Sequence, residues 1–256
     1  MYITGDYNNM YITGDYNNNV LYGTDYDDTI DGALGNDVMY GKGGNDTFLV
    51  KGGQGPDHYD GGSGYDRISI EQVPYYYNYI WLEISSMESV ELIDNKSGLA
   101  AYIVANNSLN LNDTELRGIT DIRGMAGTQY IKGSKQGDII KGLDGDDFLE
   151  GFRGNDTLYG GNGADEIVGG RDDDALYGGD GADKFVFDTG HGSDVIYDFE
   201  DGIDKIVLPT DLNYTWAASG NGTLVSAGTT SIFLSGISSA LISADDFGTT
   251  PYNIYG

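Results

Sequence analysis

An apolar residue recurs at every ninth position along two stretches of the chain. The first runs Ile12, Leu21, Ile30, Met39 and Phe48, then Tyr59 and Ile68 after a two-residue insertion of Val50 and Lys51. The second runs Ile131, Ile140, Leu149, Leu158, Ile167, Leu176 and Phe185 without interruption. The residues between them are mostly Gly, Asp, Asn and other polar types. A period of nine is neither the 3.6 of a helix nor the 2 of one strand. It marks a repeating unit that buries a single side chain per copy, so a core forms only when copies stack. Triplets such as Thr157, Leu158 and Tyr159 predict three-residue strands whose middle side chain faces inward while its neighbours face out. The six residues before each triplet turn the chain. Two units then make one coil, and unit n stacks on unit n+2. The fold expected is all-β: a parallel β-roll, a right-handed β-solenoid, in two blocks.

Setting each unit to start at its glycine makes the polar positions as regular as the apolar one. The sixth position is Asp in eleven of fourteen units: Asp28, Asp37, Asp46, Asp57, Asp66, Asp138, Asp147, Asp156, Asp165, Asp174 and Asp183. Met10, Asn19 and Gln129 stand there in the leading units. The first position is always Gly and the fourth is Gly in most units. Glycine lets a turn enter positive φ and aim several carbonyls at one point. Carbonyls with a carboxylate form the all-oxygen surroundings of a hard cation that takes six to eight ligands, which is calcium. The candidate ligand set is these aspartates with Asp144 and the turn glycines Gly32, Gly35, Gly41, Gly44, Gly52, Gly55, Gly142, Gly151, Gly154, Gly160, Gly163, Gly169, Gly178 and Gly181. Each ion is expected between two stacked turns, sharing one Asp from each, with about eight ions in all.

Charge sharpens this reading. The chain carries 41 acidic residues against 13 basic ones, a net charge of −28, together with 41 glycines. Such a polyanion repels nucleic acid and anionic membranes, so its partners are cations or basic surfaces. There is no cysteine, hence no disulfide or thiolate site. No apolar run approaches 18 residues, so stable membrane insertion is not expected.

With those positions in place, "GGNGADEIV" and "GGDGADKFV" resemble the GGxGxDxUx nonapeptide of the repeats-in-toxin family. The resemblance implies a calcium-filled parallel β-roll in a protein exported by type I secretion machinery, with an uncleaved C-terminal signal, that folds on calcium outside the cell. "GHGSDVIYDFEDGIDKIVLP" is similar to the segment that closes such rolls, which offers Asp194, Asp198 and Asp204 as last ligands. The stretch through "LISADDFG" is similar to a capping β region and secretion signal, while the ending "TTPYNIYG" departs from the usual acidic and apolar one.

Organisation follows: roll over 1–69, a β insert or wider solenoid over 70–123 with strands in "YIWLEI", "SVELID" and "LAAYIVANNSLNLND", a second roll over 124–188, and a capping region over 189–256. Residues 1–9 are repeated letter for letter as 10–18. The copy reads as half a coil that extends the roll in register and serves as a metal-poor N-terminal cap.

Catalysis finds no motif. His58 and His191 are the only histidines, both read as surface residues; HExxH and GxSxG are missing, and the periodic carboxylates are accounted for by calcium. The expectation is a non-enzymatic module. Aromatics offer the alternative of a calcium-dependent adhesin or glycan-binding module at a cell surface. "PYYYNYIW", from Tyr75 to Trp81, and the ninth-position Tyr22, Tyr40, Tyr159 and Tyr177 provide rings for sugars, or else simply pack along the outer face.

Overall fold

The computed structural model describes residues 2–6, 9–51, 55–71, 79–106 and 108–250. The chain divides into two compact units, Met1–Arg123 and Gly124–Gly256, and each is a β-solenoid with no α-helix among the described residues.

In the first unit successive strands alternate between two sheets. One sheet stacks Asn9–Thr13, Thr29–Asp31, Thr47–Val50, Arg67–Ile70, Leu92–Asn95 and Glu115–Arg117 in parallel. The other stacks Val20–Tyr22, Val38–Gly43, Asp57–Ser63, Tyr79–Glu88, Ala100–Ala105 and Ile119–Arg123, also in parallel. Ile12 lies opposite Ile30 and Ile30 opposite Phe48, one coil of two nonapeptides apart. The inserted Val50 and Lys51 lengthen the next coil without breaking the stack, and Phe48 faces Ile68. Lys51 turns back to form an ion pair with the buried Asp31. Past the repeats the coil widens, so that Ile93 follows Ile68 in the ladder and Leu116 follows Ile93. The segment after residue 70 therefore carries on the same parallel pairing with longer turns.

The duplicated start does not extend the roll. Tyr2–Asp6 runs antiparallel to Asn9–Thr13, with Ile3 opposite Ile12. Antiparallel strands close through a short connection, whereas parallel stacking needs a full crossover. Ile3 and Ile12, nine residues apart, thus lie side by side in one sheet, whereas along the roll the next nonapeptide crosses to the opposite sheet.

The second unit repeats the arrangement with more regular coils. Tyr130–Lys132, Phe148–Arg153, Glu166–Arg171, Lys184–Val186, Lys205–Pro209 and Phe247–Thr250 form one parallel sheet. Ile139–Asp144, Thr157–Asn162, Ala175–Asp180 and Ser193–Ile196 form the other. It ends in a β-meander: Thr230–Leu234 lies parallel to Ser193–Ile196, and Gly222–Ala227 and Tyr214–Ser219 follow antiparallel. Five of these strands, from Ile139–Asp144 to Ala175–Asp180, run to six residues rather than three, because residues after the triplet rejoin the ladder, as Gly161 does opposite Gly179.

All fourteen eighth-position side chains are buried to within 1% of full burial. One apolar row per sheet therefore fills the interior, as the nine-residue pattern requires.

Candidate metal centres

Each turn ends in an aspartate just before its strand, and the solenoid sets these aspartates one above another. Their first carboxylate oxygens are committed to the backbone. Asp147 Oδ1 accepts the N–H of Gln129 at 2.7 Å, Asp165 that of Asp147 at 2.8 Å, Asp183 that of Asp165 at 2.9 Å and Asp204 that of Asp183 at 3.0 Å. The other edge of this unit runs Asp138, Asp156, Asp174 and Asp194 in the same way. In the first unit the ladders run from Met10 through Asp28, Asp46 and Asp66, and from Asn19 through Asp37 and Asp57.

The second oxygens separate the aspartates into two groups. In Asp37, Asp46, Asp66, Asp147, Asp156, Asp165, Asp174, Asp183 and Asp194, Oδ2 is buried with no hydrogen-bond donor. A buried oxygen left so costs on the order of 1–3 kcal/mol, and more when charged. The first-position glycine of the same unit shapes the space beside it. A Cβ on Gly41 would overlap Asp46 Oδ2 and lie 2.5 Å from the carbonyl oxygen of Gly61, one coil on. A Cβ on Gly142 would meet Asp147 Oδ2 and Gly160 O; on Gly151, Asp156 Oδ2 and Gly169 O; on Gly160, Asp165 Oδ2 and Gly178 O. Gly32, Gly169 and Gly178 face Asp37, Asp174 and Asp183 likewise. The cradles of Gly41, Gly142, Gly151 and Gly160 therefore gather a carboxylate oxygen from one turn and a carbonyl from the next coil. This differs from the expected sharing of one Asp from each turn, because the other carboxylate oxygen already holds the backbone. Among the described residues no three acidic or histidine side chains come together.

In the second group the protein supplies a donor. Asp28 Oδ2 accepts the Thr24 N–H at 2.6 Å and its hydroxyl at 2.8 Å, and Asp138 Oδ2 takes both from Ser134 at 2.7 and 2.9 Å. Tyr59, the one tyrosine among the core residues, donates its hydroxyl to Asp57 Oδ2 at 3.2 Å, and the Glu200 N–H meets Asp204 Oδ2 at 2.8 Å. Thr24 and Ser134 hold the second position of their units. In turns with an unmatched Oδ2 that position takes positive φ even without glycine, at Ala33 (69°), Lys42 (81°), Leu143 (85°) and Phe152 (82°). The preceding carbonyls of Gly41, Gly142 and Gly151 then face the glycine of the coil before. Strain of this kind costs about 1 kcal/mol or more per residue and accumulates where a site is built.

Fourth-position glycines serve the stack. Gly35, Gly44, Gly55, Gly154, Gly163 and Gly181 press on the backbone of the turn one coil before, and a Cβ on Gly163 or Gly181 would overlap it. Gly52 lies outside the described residues. Asp144 is exposed and accepts from the Asn162 amide, and Asp198 accepts the N–H groups of Gly178 and Gly179.

Burial raises the carboxylates with unmatched oxygens. It pushes Asp147, Asp165 and Asp183 to about 6, Asp46 and Asp174 to about 7, Asp194 to about 8 and Asp156 to about 9. A neighbouring cation reverses this by favouring the charged form. The donors are carboxylate and carbonyl oxygens only, the set that calcium takes.

The profile of the RTX calcium-binding nonapeptide repeat family matches residues 13–48, 49–69, 123–158, 132–167, 150–185 and 159–196, together just over half of the chain. The chain belongs to the RTX family. Its repeats are thus RTX calcium-binding nonapeptide repeats. Among solved structures the chain is similar to an extracellular lipase, LipA, from Serratia marcescens, at 21% identity and a TM-score of 0.41 over 89% of this chain. It spans 39% of that lipase's length. No curated protein sequence matches it.

Two features of the RTX turns escaped the pattern of nine. The fifth position, often Asn or Asp, forms a second ladder of opposite sense: Asn18 Oδ1 accepts the Asn36 N–H at 3.0 Å, Asp27 that of Asn45 at 2.7 Å, and Asp146 that of Ala164 at 2.8 Å. The recurring "ND" and "DD" pairs signal it. Glu91, outside the repeats, occupies the next rung above Asp66.

The histidines separate. His58 sits edge-on to Tyr40 on the outer face at 5.7 Å. His191, read as a surface residue, is only 1% exposed, packed near Phe187 and pushed down to about 4 by burial. The ninth-position tyrosines stack on one another: Tyr22 on Tyr40 at 5.1 Å, Tyr159 on Tyr177 at 4.6 Å and Tyr177 on Tyr197 at 4.8 Å. Of the cluster Tyr75 to Trp81, residues up to 78 lie outside the described residues. Trp81 packs against Tyr102, with the Arg123 guanidinium over both rings.

Proposed function

We propose that the chain is the calcium-triggered β-roll module of a secreted protein. It stays unfolded where calcium is scarce, passes a type I secretion channel, and folds in the calcium-rich exterior. The observation that carries this reading is the row of buried Asp Oδ2 atoms without donors, all but that of Asp194 in a cradle that a methyl group would fill. Bound calcium supplies the positive charge that these carboxylates otherwise lack. The chain's own residues do the rest: the Oδ1 atoms tie each turn to its predecessor, the first-position glycines keep the cradle open, and their carbonyls close it from the next coil. With one core side chain per nonapeptide, apolar burial alone is small, so the ions become part of the folding free energy. The ninth-position tyrosines stack on one another along the outer face, and the glycan-binding alternative is not adopted.

Far-UV circular dichroism tests the reading. Calcium should drive the chain from coil to β with a midpoint of roughly 10⁻⁴ to 10⁻³ M, as for extracellular modules, and magnesium should substitute poorly because it demands a tighter octahedral shell. A chain equally rich in β structure in excess chelator would sink the proposal.

A further inference from the structure

The last cradle on one edge of the first unit is closed by residues outside the nonapeptides. Gly61 and Asp66 belong to a repeat, and Asp66 is fully buried with Oδ2 lacking a donor. One coil later the repeat pattern has ended, and no family match covers residues 70–122. Yet a Cβ on Gly61 would lie 2.5 Å from Asp66 Oδ2 and overlap the carbonyl oxygen of Ser89. Ser89 thus does what a first-position glycine does elsewhere. It is only two residues before the acidic rung, where a repeat places its glycine five before, and this shortened turn bends through positive φ at Ser89 itself (50°). Glu91 replaces the usual aspartate: its Oε2 accepts the Asp66 N–H at 2.7 Å, and the Leu92 N–H reaches Asp66 O at 3.2 Å, as the Arg67 N–H reaches Asp46 O in the coil before.

We propose that Ser89–Glu91 completes an additional calcium site with Gly61 and Asp66, so that the non-repeat segment is docked on the roll through an ion as well as through its strand. Asp66 Oδ2 and the Ser89 carbonyl are its ligands, and the Glu91 carboxylate contributes charge beside them. An aspartate in an isolated nonapeptide would have no carbonyl facing it; here the inserted coil brings one. The inference rests on the repeats binding calcium as described above.

Equilibrium dialysis against calcium, with folding checked by circular dichroism in saturating calcium, counts the ions held by the full chain and by Asp66→Asn, Asp165→Asn and Glu91→Gln. Asp66→Asn should hold one ion fewer than the unaltered chain. Asp165→Asn, inside the second block, should also lose one. Glu91→Gln keeps an acceptor for the Asp66 N–H and should weaken one site several-fold while leaving the others unchanged. If Asp165→Asn loses an ion while a folded Asp66→Asn loses none, or if Glu91→Gln binds as the unaltered chain does, the proposed site is overturned and the repeat reading stands. If neither aspartate variant loses an ion, the repeat reading itself fails. Should Asp66→Asn not fold, a calcium-soaked crystal of the unaltered chain decides: an anomalous peak between Asp66 Oδ2 and the Ser89 carbonyl supports the site, and peaks confined to other cradles overturn it.

Discussion

At the scale of single residues, aspartates that look alike in sequence stand in different chemical states. Asp165 is 1% exposed with an unmatched Oδ2, whereas Asp28, equally buried at 2%, has Thr24 donating twice to that oxygen. Asp165→Asn should therefore remove one bound calcium, and Asp28→Asn should remove none while destabilising the chain by about 1 kcal/mol through weakened hydrogen bonds. Calorimetric titration gives both numbers, and equal losses of ions would contradict the division. Tyr59→Phe leaves Asp57 Oδ2 buried without its donor and should cost about 1–3 kcal/mol in chemical denaturation. The spacing of glycine, aspartate and core residue was legible in the sequence because each recurs at a fixed offset. Which carboxylates are capped was not, because it depends on the backbone angle at the second position. Thr24 and Ser134, hydroxyl residues four before an aspartate, are the local trace of that difference. His191 was misread since its burial comes from packing near Phe187 and a backbone bond to Thr230, contacts remote from any motif.

Among the elements, regular nonapeptides form longer strands than their triplets suggest. The pairing of Thr157–Asn162 with Ala175–Asp180 resumes past the triplet at Gly161 opposite Gly179 and Asn162 opposite Asp180, so the strand reaches into the next turn. Sequence periodicity revealed the stacking by two units but not this extension, because glycine has low strand propensity and joins the ladder only when a neighbouring coil presents the same backbone. The duplicated start shows the converse. Its letters match a repeat, yet Tyr2–Asp6 folds back as an antiparallel arm. At the other end, Thr230–Leu234 and Phe247–Thr250 pair with Ser193–Ile196 and Lys205–Pro209 and so cover the last coil on both sheets. Deleting residues 209–256 opens both sheets, whereas deleting residues 1–8 uncovers one strand edge. The first deletion should raise the calcium midpoint for folding several-fold and the second should barely move it, because a solenoid frays from whichever end lacks its cap. Similar shifts for the two deletions would show that the C-terminal meander is not the cap.

For the whole molecule, calcium and protons compete for the same carboxylates, and the sign of that competition follows from burial. Asp165 and Asp183 lie at about 6 in the folded chain, Asp174 at about 7 and Asp156 at about 9, all raised chiefly by burial from an ordinary value near 4. A carboxyl raised on folding favours the fold fully below its unfolded pKa, and that contribution is lost as pH rises through the folded pKa. Without calcium, therefore, the roll should be most stable near pH 4 and should lose stability progressively from there up to about pH 9, as buried carboxylates ionise beside one another and the net charge approaches −28. His191 acts oppositely: lowered to about 4, it favours the fold above its ordinary value of 6.5, an advantage lost as pH falls toward 4, which sets the acid limit. With calcium the slope reverses, since the ion binds the ionised carboxylates and protons displace it, so affinity should fall as pH drops. Circular dichroism from pH 8 down to pH 4.5, in chelator and in calcium, checks both slopes. In chelator β content should grow on acidification, and the two curves should converge near pH 5. A chelated chain that stays unfolded throughout would mean that neutralising the turn carboxylates is not enough, and that calcium is needed as a bridge between coils rather than only as a counter-charge.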